Sequence, residues 1–343
     1  MNEREQDASR DTLRGRRHVR RHVRRAMLIH ILAGVCALPS ALAQAYPAQP
    51  IRLVIPFSPG SATDVLARQL ATGLAAELGQ PVNVDNKPGG AAIIGAEAVA
   101  KSAANGYTVL LGSSQSHAAN SNLFRKLPYD PLRDFAPVAR VSVFPAVLVV
   151  RQSIPAKTVA ELVAFAKQNP RRLNYASSGP GTQAHLQGAM LIATAGVPAE
   201  HIPFKDAGQI LTAFARGDVD FMFYPYSALR PVIQSGQVRV LATTGEQRNE
   251  STKGIPTMSE AGYPEVMLAA WNALYVPAGT PAAVIERLST ATRRALENPQ
   301  VKGRLDELGV ETWYAGPAQL GEFTASEIER YRKLVTVTGM KIE

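Results

Sequence analysis

The architecture follows from residues 51–79, which read IRLVIPFSPGSATDVLARQLATGLAAELG. The run from Ile51 to Pro56 is apolar and has the length of a buried strand. Ala62 to Leu78 carries a leucine at every fourth position from Leu66 onward, which predicts a helix with one apolar face. Gly79 then supplies the residue that commonly ends a helix. This stretch therefore predicts a strand, a loop and an amphipathic helix, the repeating unit of an α/β protein.

The same strand–loop–helix unit recurs along the rest of the chain, in two series of elements. Further strands are predicted at Pro81–Asp85, Thr108–Leu111, Ala146–Val150, Leu173–Ala176, His201–Phe204, Val219–Phe223, Val238–Ala242 and Ala273–Val276. Further helices are predicted at Ile94–Ser102, from Thr158 to Asn169, at Thr182–Ala195 and Gln209–Ala215, and after Thr280-Pro281 and Gly316-Pro317. Alternation of this kind predicts parallel strands.

Two apolar strands, near residues 146–150 and 270–276, separate the two series. Because both are strands rather than loops, we expect two crossing strands to join two lobes and to act as a hinge. The expected boundaries are 46–147 with 272–343 for lobe 1, and 148–271 for lobe 2.

Composition excludes several classes of protein. The chain has 343 residues, 46% of them hydrophobic, with 26 Gly, 24 Pro and one Cys, so it is neither disordered, collagen-like nor a disulfide scaffold. Of the formal net charge of +9, residues 1–43 contribute +5, from nine Arg and four acidic residues. The remaining charges form no basic stripe, so no nucleic-acid partner is expected.

The first 45 residues have the three regions of a cleaved export signal. A basic run, Arg14 to Arg25, precedes an apolar stretch, Ala26 to Leu38, and then two A-x-A patterns at 41–43 and 43–45. The apolar stretch is shorter than the roughly 20 residues that span a bilayer. Residues 1–45 are therefore predicted to be a signal peptide. The alternatives are a basic arm before a buried helix, a twin-arginine signal at Arg24-Arg25, and a start codon assigned too early.

Enzyme chemistry has little support in the sequence. Cys36 lies inside the predicted signal, so the mature chain would have no cysteine for a disulfide, a zinc site or a nucleophile. The remaining histidines, His117, His185 and His201, lack metal-ligand spacing, and no phosphate or dinucleotide motif is present, so no metal or cofactor is expected. A serine hydrolase built from Ser114 or Ser177 with His185 and Asp64 is a remote alternative.

Loops at the carboxyl ends of strands are the expected binding site, since ligands of open α/β sheets collect there against helix N-termini. Five loops fit this position: Pro56–Asp64, Gly112–His117, Ser177–His185, Lys205–Gly208 and Tyr224–Ser227. They are rich in Ser, Thr and Gly and poor in charge. That composition favours an anion held by neutral donors.

Within the first loop, Pro59-Gly60 permits a close turn, and Ser61 or Thr63 is suited to cap the helix. In the third loop Thr182 is the expected cap, and His185 either faces the cleft or packs beside it. Each of these residues also has a purely structural interpretation, as an ordinary helix cap or a hydrogen-bonded histidine.

Many ordered segments resemble one known family. They are PIRLVIPFSPGSATDVLARQLA, LGQPVNVDNKPGG, IGAEAVAKSAANGYTVLLGSS, LPYDPLRDFAPVARV, ASSGPGTQAHL, HIPFKDAG, PTMSEAGYPEV and YVPAGTP. From Tyr46 onward the chain resembles the Bug-type substrate-binding proteins of tripartite tricarboxylate transporters. The resemblance implies a periplasmic protein of the type II binding-protein fold, with two Rossmann-like lobes closing on a small carboxylate. It also implies delivery of that ligand to membrane permease subunits by a receptor that is not an enzyme. A monomer is the default expectation for a receptor that diffuses to its partner.

The motif matches and the loop positions together give a candidate set of ligand-binding residues. They are Phe57, Ser58, Pro59, Gly60, Ser61, Thr63, Asp64, Ser113, Ser114, Ser177, Ser178, Gly179, Thr182, His185, Phe204, Lys205, Asp206 and Tyr224.

Three positions depart from the family pattern. Ser61-Ala62 stands where the family usually has glycine, Asp206 replaces a glycine, and Tyr224 replaces an acidic residue. We expect Tyr224 and Tyr226 to stack on an aromatic ring, which suggests an aromatic carboxylate. A receptor that presents its ligand to a signalling partner is the alternative function.

Overall fold

The computed structural model describes residues 46–169, 173–204, 207–248, 252–307 and 310–340. The predicted signal peptide, residues 1–45, lies outside these ranges. The strands are β1 (Ile51–Ile55), β2 (Val82–Asn86), β3 (Thr108–Ser113), β4 (Phe135–Phe144), β5 (Ala146–Arg151), β6 (Leu173–Ser177), β7 (Ala199–Pro203), β8 (Phe221–Pro225), β9 (Val238–Thr243), β10 (Ala270–Pro277) and β11 (Glu311–Ala315). Every strand predicted from the sequence is present, and β4 and β11 are additional.

The seven predicted helices are present with small shifts at their ends, and three more, at 120–123, 226–234 and 299–307, were not predicted. They are α1 (Ala62–Leu78), α2 (Ile93–Ala100), α3 (Asn120–Leu123), α4 (Val159–Gln168), α5 (Gln183–Ala195), α6 (Ala207–Arg216), α7 (Tyr226–Gln234), α8 (Ala282–Glu297), α9 (Pro299–Glu307) and α10 (Pro317–Thr338). The predicted loop at 224–227 is wrong, because Tyr224 and Pro225 end β8 and α7 starts at Tyr226. A π-helical turn, Gln115–Ala119, likewise replaces the second half of the predicted loop at 112–117.

Two sheets form the two lobes. The sheet of the first lobe has the order β11-β4-β10-β3-β1-β2, and that of the second has the order β7-β6-β8-β5-β9. The pairs of β1 with β2 and β3, and of β6 with β7 and β8, are parallel as predicted. The prediction of parallel strands is wrong for β5 and β10, which pair antiparallel with their neighbours. Each of these two strands follows a crossing between lobes rather than a helix, so it runs against both of its neighbours in the sheet.

The chain crosses between the sheets at two adjacent places. β4 ends at Phe144 in the first sheet, and β5 begins at Ala146 in the second, with only Pro145 between them. The return path enters β10 at Ala270, which pairs with Phe144. The two connections therefore lie side by side, at the end of the sheet where β4 finishes and β10 begins. The expected lobe boundaries, 147/148 and 271/272, fall within β5 and β10.

The first strand–loop–helix unit shows why these residues fold as they do. The side chain of Ser61 accepts a hydrogen bond from the Asp64 N–H and caps α1, and Gly79 ends the helix with φ 69°. The predicted leucine face is buried, including Leu66 and Leu70 at 0% exposure. Burying each such leucine contributes about 2 kcal/mol, so the face holds α1 against its sheet. In the part of the chain that the structure describes, no helix is long and apolar enough to cross a membrane.

Candidate functional site

A cavity of about 450 Å³ lies between the two sheets, at the ends of the strands where the sequence predicts binding. The first lobe contributes loops that follow β1, β2 and β3, and the second contributes the loop that follows β6 and the junction between β8 and α7. The crossing strands form its base. Its walls are made by Pro56–Ser58, Ala62, Thr63, Pro88, Gly89, Ala91, Ala92, Ser113–Gln115, Phe144, Pro180–Gln183, Pro225 and Ala270–Asn272. We refer to this cavity as the cleft.

The loop before α1 is folded around Asp64. The carboxylate of this buried residue accepts hydrogen bonds from the Gly60 N–H at 2.9 Å, from Asn86 Nδ2 at 2.9 Å and from Arg68 Nε at 3.0 Å. Burial acts to raise the pKa of Asp64, but these hydrogen bonds outweigh it and lower the pKa to about 2. Asp64 is thus fully engaged in shaping the turn at Gly60, and it does not line the cleft.

A second loop of the first lobe, Pro88–Ala92, was not among the residues predicted from the sequence. Four successive residues have positive φ, from Gly89 and Gly90 to Ala91 at 52° and Ala92 at 73°. The left-handed conformation costs a residue with a side chain about 1–2 kcal/mol, so the loop is strained where it borders the cleft. The PGG motif after a predicted strand was the available signal for this turn.

The loop after β3 brings two buried serines to the cleft. Ser113 and Ser114 are both at most 5% exposed. The N–H of Ser113 donates to Ser116 Oγ at 3.0 Å, which holds the start of the π-helical turn. Behind it, His117 stacks on Tyr275 with ring centroids 3.8 Å apart. Burial lowers the pKa of His117 to about 3, so this histidine is a neutral packing residue.

In the second lobe, the glycine loop before α5 is held by a serine and two histidines. Ser177 Oγ accepts from the Gly179 N–H at 3.1 Å and lies 2.6 Å from His201 Nε2. His185 Nδ1 accepts from the Gly181 N–H at 3.0 Å, and its ring stacks on that of His201 at 3.8 Å. Burial, with a smaller contribution from His201, lowers the pKa of His185 to about 4. These groups shape the loop from behind.

Thr182 occupies the cap position of α5 but does not cap the helix. Its hydroxyl donates instead to the Gly179 carbonyl at 2.8 Å, and no side chain caps the N-terminus. α2 and α7, with Ala92 and Pro225 at their cap positions, likewise have no side-chain cap. All three cap residues line the cleft. Uncapped N–H groups and the positive ends of three helix dipoles therefore converge on this cavity.

One hydrogen-bonded chain spans the two lobes beside the cleft. The hydroxyl of Tyr331, in α10 of the first lobe, donates to Gln183 Oε1 in the second lobe at 2.6 Å. The Tyr331 hydroxyl is also hydrogen-bonded to the side chain of Ser114. Because Oε1 is occupied, the Nε2 group of Gln183 is left as a donor. This atom is buried and has no partner among the described residues.

The predicted residues divide into three groups. Those that line the cleft are Phe57, Ser58, Thr63, Ser113, Ser114 and Thr182. Those that lie behind it or pack elsewhere are Pro59, Gly60, Ser61, Asp64, Ser177, Ser178, Gly179, His185, Phe204 and Tyr224. Lys205 and Asp206 lie outside the described residues. Phe204, Tyr224 and Tyr226 pack against the core cluster of the second lobe around Met222, so the predicted aromatic stacking by the tyrosines is not supported.

Among the described residues that line the cleft, none carries a charged side chain. The polar groups are hydroxyls and side-chain amides, and the rest of the wall is proline, alanine and aromatic carbon. The hydrolase alternative also fails on geometry, because Asp64 bonds Arg68 and Asn86 whereas His185 bonds Gly181 in the other lobe.

A sequence profile of the tripartite tricarboxylate transporter family receptors, TctC, matches residues 66–340. The chain belongs to this family. BugT of Bordetella pertussis is 36% identical over 312 residues, which cover 91% of this chain and 95% of BugT.

Two solved structures have the same fold and carry ligands. One, R. palustris Rpa4515 with adipate, has a TM-score of 0.76 and 33% identity over 86% of this chain and 99% of its own. The other, MatC from Rhodopseudomonas palustris with bound malate, has a TM-score of 0.72 and 31% identity over 84% of this chain and 100% of its own. The TctC-family chain is therefore a Bug-type periplasmic solute-binding receptor of the two-lobed type II fold, and it is not an enzyme.

Proposed function

We propose that this receptor captures a small carboxylate in the cleft and presents it to the permease subunits of a tripartite transporter. The observation that carries the proposal is the convergence of three uncapped helix N-termini, those of α2, α5 and α7, on a cavity whose described lining residues carry no charged side chain. Such N-termini bind anions through backbone N–H groups and the helix dipole. The relatives that bind adipate and malate support a carboxylate as the anion.

Gln183 is the side chain that we propose as the specific donor to the carboxylate. Its Nε2 group is buried and unpartnered, it borders the cleft, and Tyr331 fixes the orientation of its amide. A buried donor without an acceptor is costly, and a bound carboxylate oxygen would remove that cost. Ser58, Thr63 and Ser113 are additional neutral donors in the same wall.

The apolar part of the wall favours a ligand with a hydrocarbon body. Phe57, Phe144 and Pro225 face the cleft, and a volume near 450 Å³ suits a small organic acid. An aromatic carboxylate remains our proposal for the ligand class, now on the basis of Phe57 and Phe144 rather than of the tyrosines. Binding across both lobes stabilises the closed form, because the ligand has contacts there that the open form lacks.

The first experiment is a thermal-shift screen of the mature chain against aliphatic and aromatic mono- and dicarboxylates, with adipate, malate and benzoate included. A ligand at about 100 times its Kd adds about 2.7 kcal/mol to the free energy of unfolding. Stabilisation by one class, with the acid recovered unchanged, supports a receptor and names its ligand. A preference for malate or adipate over benzoate overturns the aromatic assignment.

The role of Gln183 is tested with Gln183→Ala. The matched control is Gln69→Ala, in the middle of α1, at a residue that does not line the cleft. A hydrogen bond to a charged group contributes about 1.5–3 kcal/mol, so Gln183→Ala should weaken binding about 10- to 100-fold. Isothermal titration with the acid from the screen measures the change. Equal affinities of the two variants would remove Gln183 from the site.

The partner and the export signal require separate tests. We propose that residues 1–45 direct export and are removed near the A-x-A patterns, so the periplasmic form should begin close to Tyr46 by intact mass.

We also propose that the receptor is a monomer and that ligand promotes its capture of permease subunits from detergent extracts. Capture of a sensor's extracytoplasmic domain instead would favour the signalling alternative.

A further inference from the structure

A second cavity, of about 390 Å³, lies behind the crossing strands. Val143 and Ala269 of the crossing region border the second cavity alone, Phe144, Ala270 and Asn272 border the cleft alone, and Trp271 borders both. Successive residues of a strand point to opposite faces, so the two cavities occupy opposite sides of the hinge. We refer to the second one as the rear cavity.

Arg140 is the unusual residue of the rear cavity. This residue of β4 is 5% exposed, and its Nε atom has no hydrogen-bond partner in the part of the chain that the structure describes. Its guanidinium carbon lies 3.6 Å from the centroid of the Trp313 ring and 4.3 Å from that of Phe323. Aromatic rings stabilise the cation, but they do not accept the N–H bonds that a guanidinium directs in its own plane.

Three acidic residues, Glu246, Glu311 and Glu327, border the rear cavity together with Arg140. Glu327 is bound to Trp271 Nε1 at 2.9 Å and to Arg330 Nη1 at 3.4 Å. Glu246 is exposed and attracts Arg140 electrostatically, but no ion pair joins the two among the contacts of the described residues. Arg140 Nε is therefore a buried donor at the wall of this cavity without an acceptor among the residues that the structure describes. Burying a cation without hydrogen-bonding partners is unfavourable, so a ligand that supplies acceptors is expected to bind here.

We propose that the rear cavity is a second ligand site, which takes a small oxyanion with its acceptor oxygens on the Arg140 guanidinium. The shared chemistry is that of a short carboxylate or of inorganic phosphate, since either offers two charged oxygens to the guanidinium fork. The site is distinct from the cleft, because Arg140, Trp313 and Phe323 border the rear cavity and not the cleft.

The position of the rear cavity couples the two sites. Arg140 and Trp313 belong to the first lobe, whereas Thr244–Gln247 on the opposite wall follow β9 of the second sheet. Because the cavities lie on opposite faces of the hinge, rotation that narrows the cleft changes the width of the rear cavity in the opposite sense. An anion held across the rear cavity therefore shifts the balance between open and closed forms.

The chain provides its own reporter for this site. It contains two tryptophans, Trp271 and Trp313, and both border the rear cavity, while Trp313 does not border the cleft. In a ¹H–¹⁵N spectrum of the mature chain, the indole signal of Trp313 should move saturably when acetate or phosphate is added at constant ionic strength. Saturation by acetate alone assigns a carboxylate site, and saturation by phosphate alone assigns an inorganic anion site.

Arg140→Met should abolish the saturable shift, and Arg140→Lys, which keeps the charge but loses the fork, should weaken it at least tenfold. Glu246→Gln should tighten binding because it removes a competing carboxylate. Arg133→Met, at a side chain that is 86% exposed, is the control. If Arg140→Met does not fold, Arg140→Lys and Glu246→Gln test the proposal in its place. The proposal is overturned if the Trp313 signal does not move, or if it moves linearly with anion concentration. It is also overturned if Arg140→Lys binds the anion as tightly as the unmodified chain does. Each of these outcomes holds whatever acid the cleft binds.

Discussion

The hydroxyl of Tyr331 and the Oε1 atom of Gln183 lie 2.6 Å apart, although 148 residues separate them in the chain. Tyr331 is fully buried in α10 of the first lobe, and Gln183 begins α5 of the second. The contact ties the lobes together directly beside the cleft and sets the direction in which the Gln183 amide points. Ligand affinity should therefore depend on a residue that does not border the cleft.

Tyr331→Phe removes this bond and should reduce ligand affinity about 3- to 10-fold, as expected for the loss of about 1 kcal/mol of hydrogen bonding. Tyr275→Phe is the matched control, because the Tyr275 hydroxyl bonds Thr324 Oγ1 at 2.7 Å within the first lobe alone. Both variants should lose stability in urea, but only Tyr331→Phe should lose affinity in calorimetric titration. Equal affinities would show that the tie between the lobes does not orient Gln183.

Asp64→Asn should destabilise the fold by about 2 kcal/mol near neutral pH. The pKa of Asp64 is about 2 in the folded state, below that of an unfolded Asp near 3.9, so its contribution is present above about pH 4. It is lost as the pH falls from about 4 towards 2. Urea unfolding at neutral and acid pH measures the difference, which should shrink on acidification. Asp218→Asn, at an exposed side chain, should have little effect at either pH.

Acid should weaken the glycine loop of the second lobe through His185. Its folded pKa of about 4 lies below the unfolded value near 6.5, so the unfolded chain binds the proton first. The free energy of unfolding therefore falls as the pH drops from about 6.5 to 4. His185→Asn keeps an acceptor for the Gly181 N–H but has no group that binds a proton in this pH range. The loss between about pH 7 and pH 5 should be about 2 kcal/mol smaller in the variant, and an identical loss would contradict the assignment.

Because Ala91 is strained, replacing alanine by glycine should change the stability in opposite directions at Ala91 and at Ala76. Ala91→Gly relieves a left-handed residue with φ 52° and should raise stability by up to about 1 kcal/mol. Ala76→Gly, on the exposed face of α1, should lower it by about 0.5–1 kcal/mol. Thermal or urea unfolding of both variants checks the pair. A loss of stability in Ala91→Gly would mean that the loop is not strained.

The predictable part of the fold is the part governed by local patterns. Apolar runs and leucine spacing located the strands and α1, and Ser- and Gly-rich loops located the mouth of the cleft. β4 was missed because Pro137 and Arg140 interrupt its apolar pattern, and only the pairing with β10 and β11 makes it a strand. The antiparallel direction of β5 and β10 depends in the same way on the crossing between lobes.

The site was predicted at the level of loops but only partly at the level of side chains. Asp64 and His185 have the chemistry of ligand contacts, yet hydrogen bonds to Gly60 and Gly181 turn them to the rear of their loops. Gln183 carried no signal of its own, because its importance arises from Tyr331 in the last helix. Such contacts depend on tertiary packing, which spacing along the chain does not reveal.

The adjacent crossings at Phe144 and Ala270 have an evolutionary consequence. Because these residues are paired neighbours, the segment between them leaves and re-enters the first lobe at one spot, as an inserted domain does. Recombination between related genes at these two points would exchange one half of the cleft wall and keep the other. New ligand preferences can thus arise in a single genetic event, without passing through a series of point mutations in an assembled site.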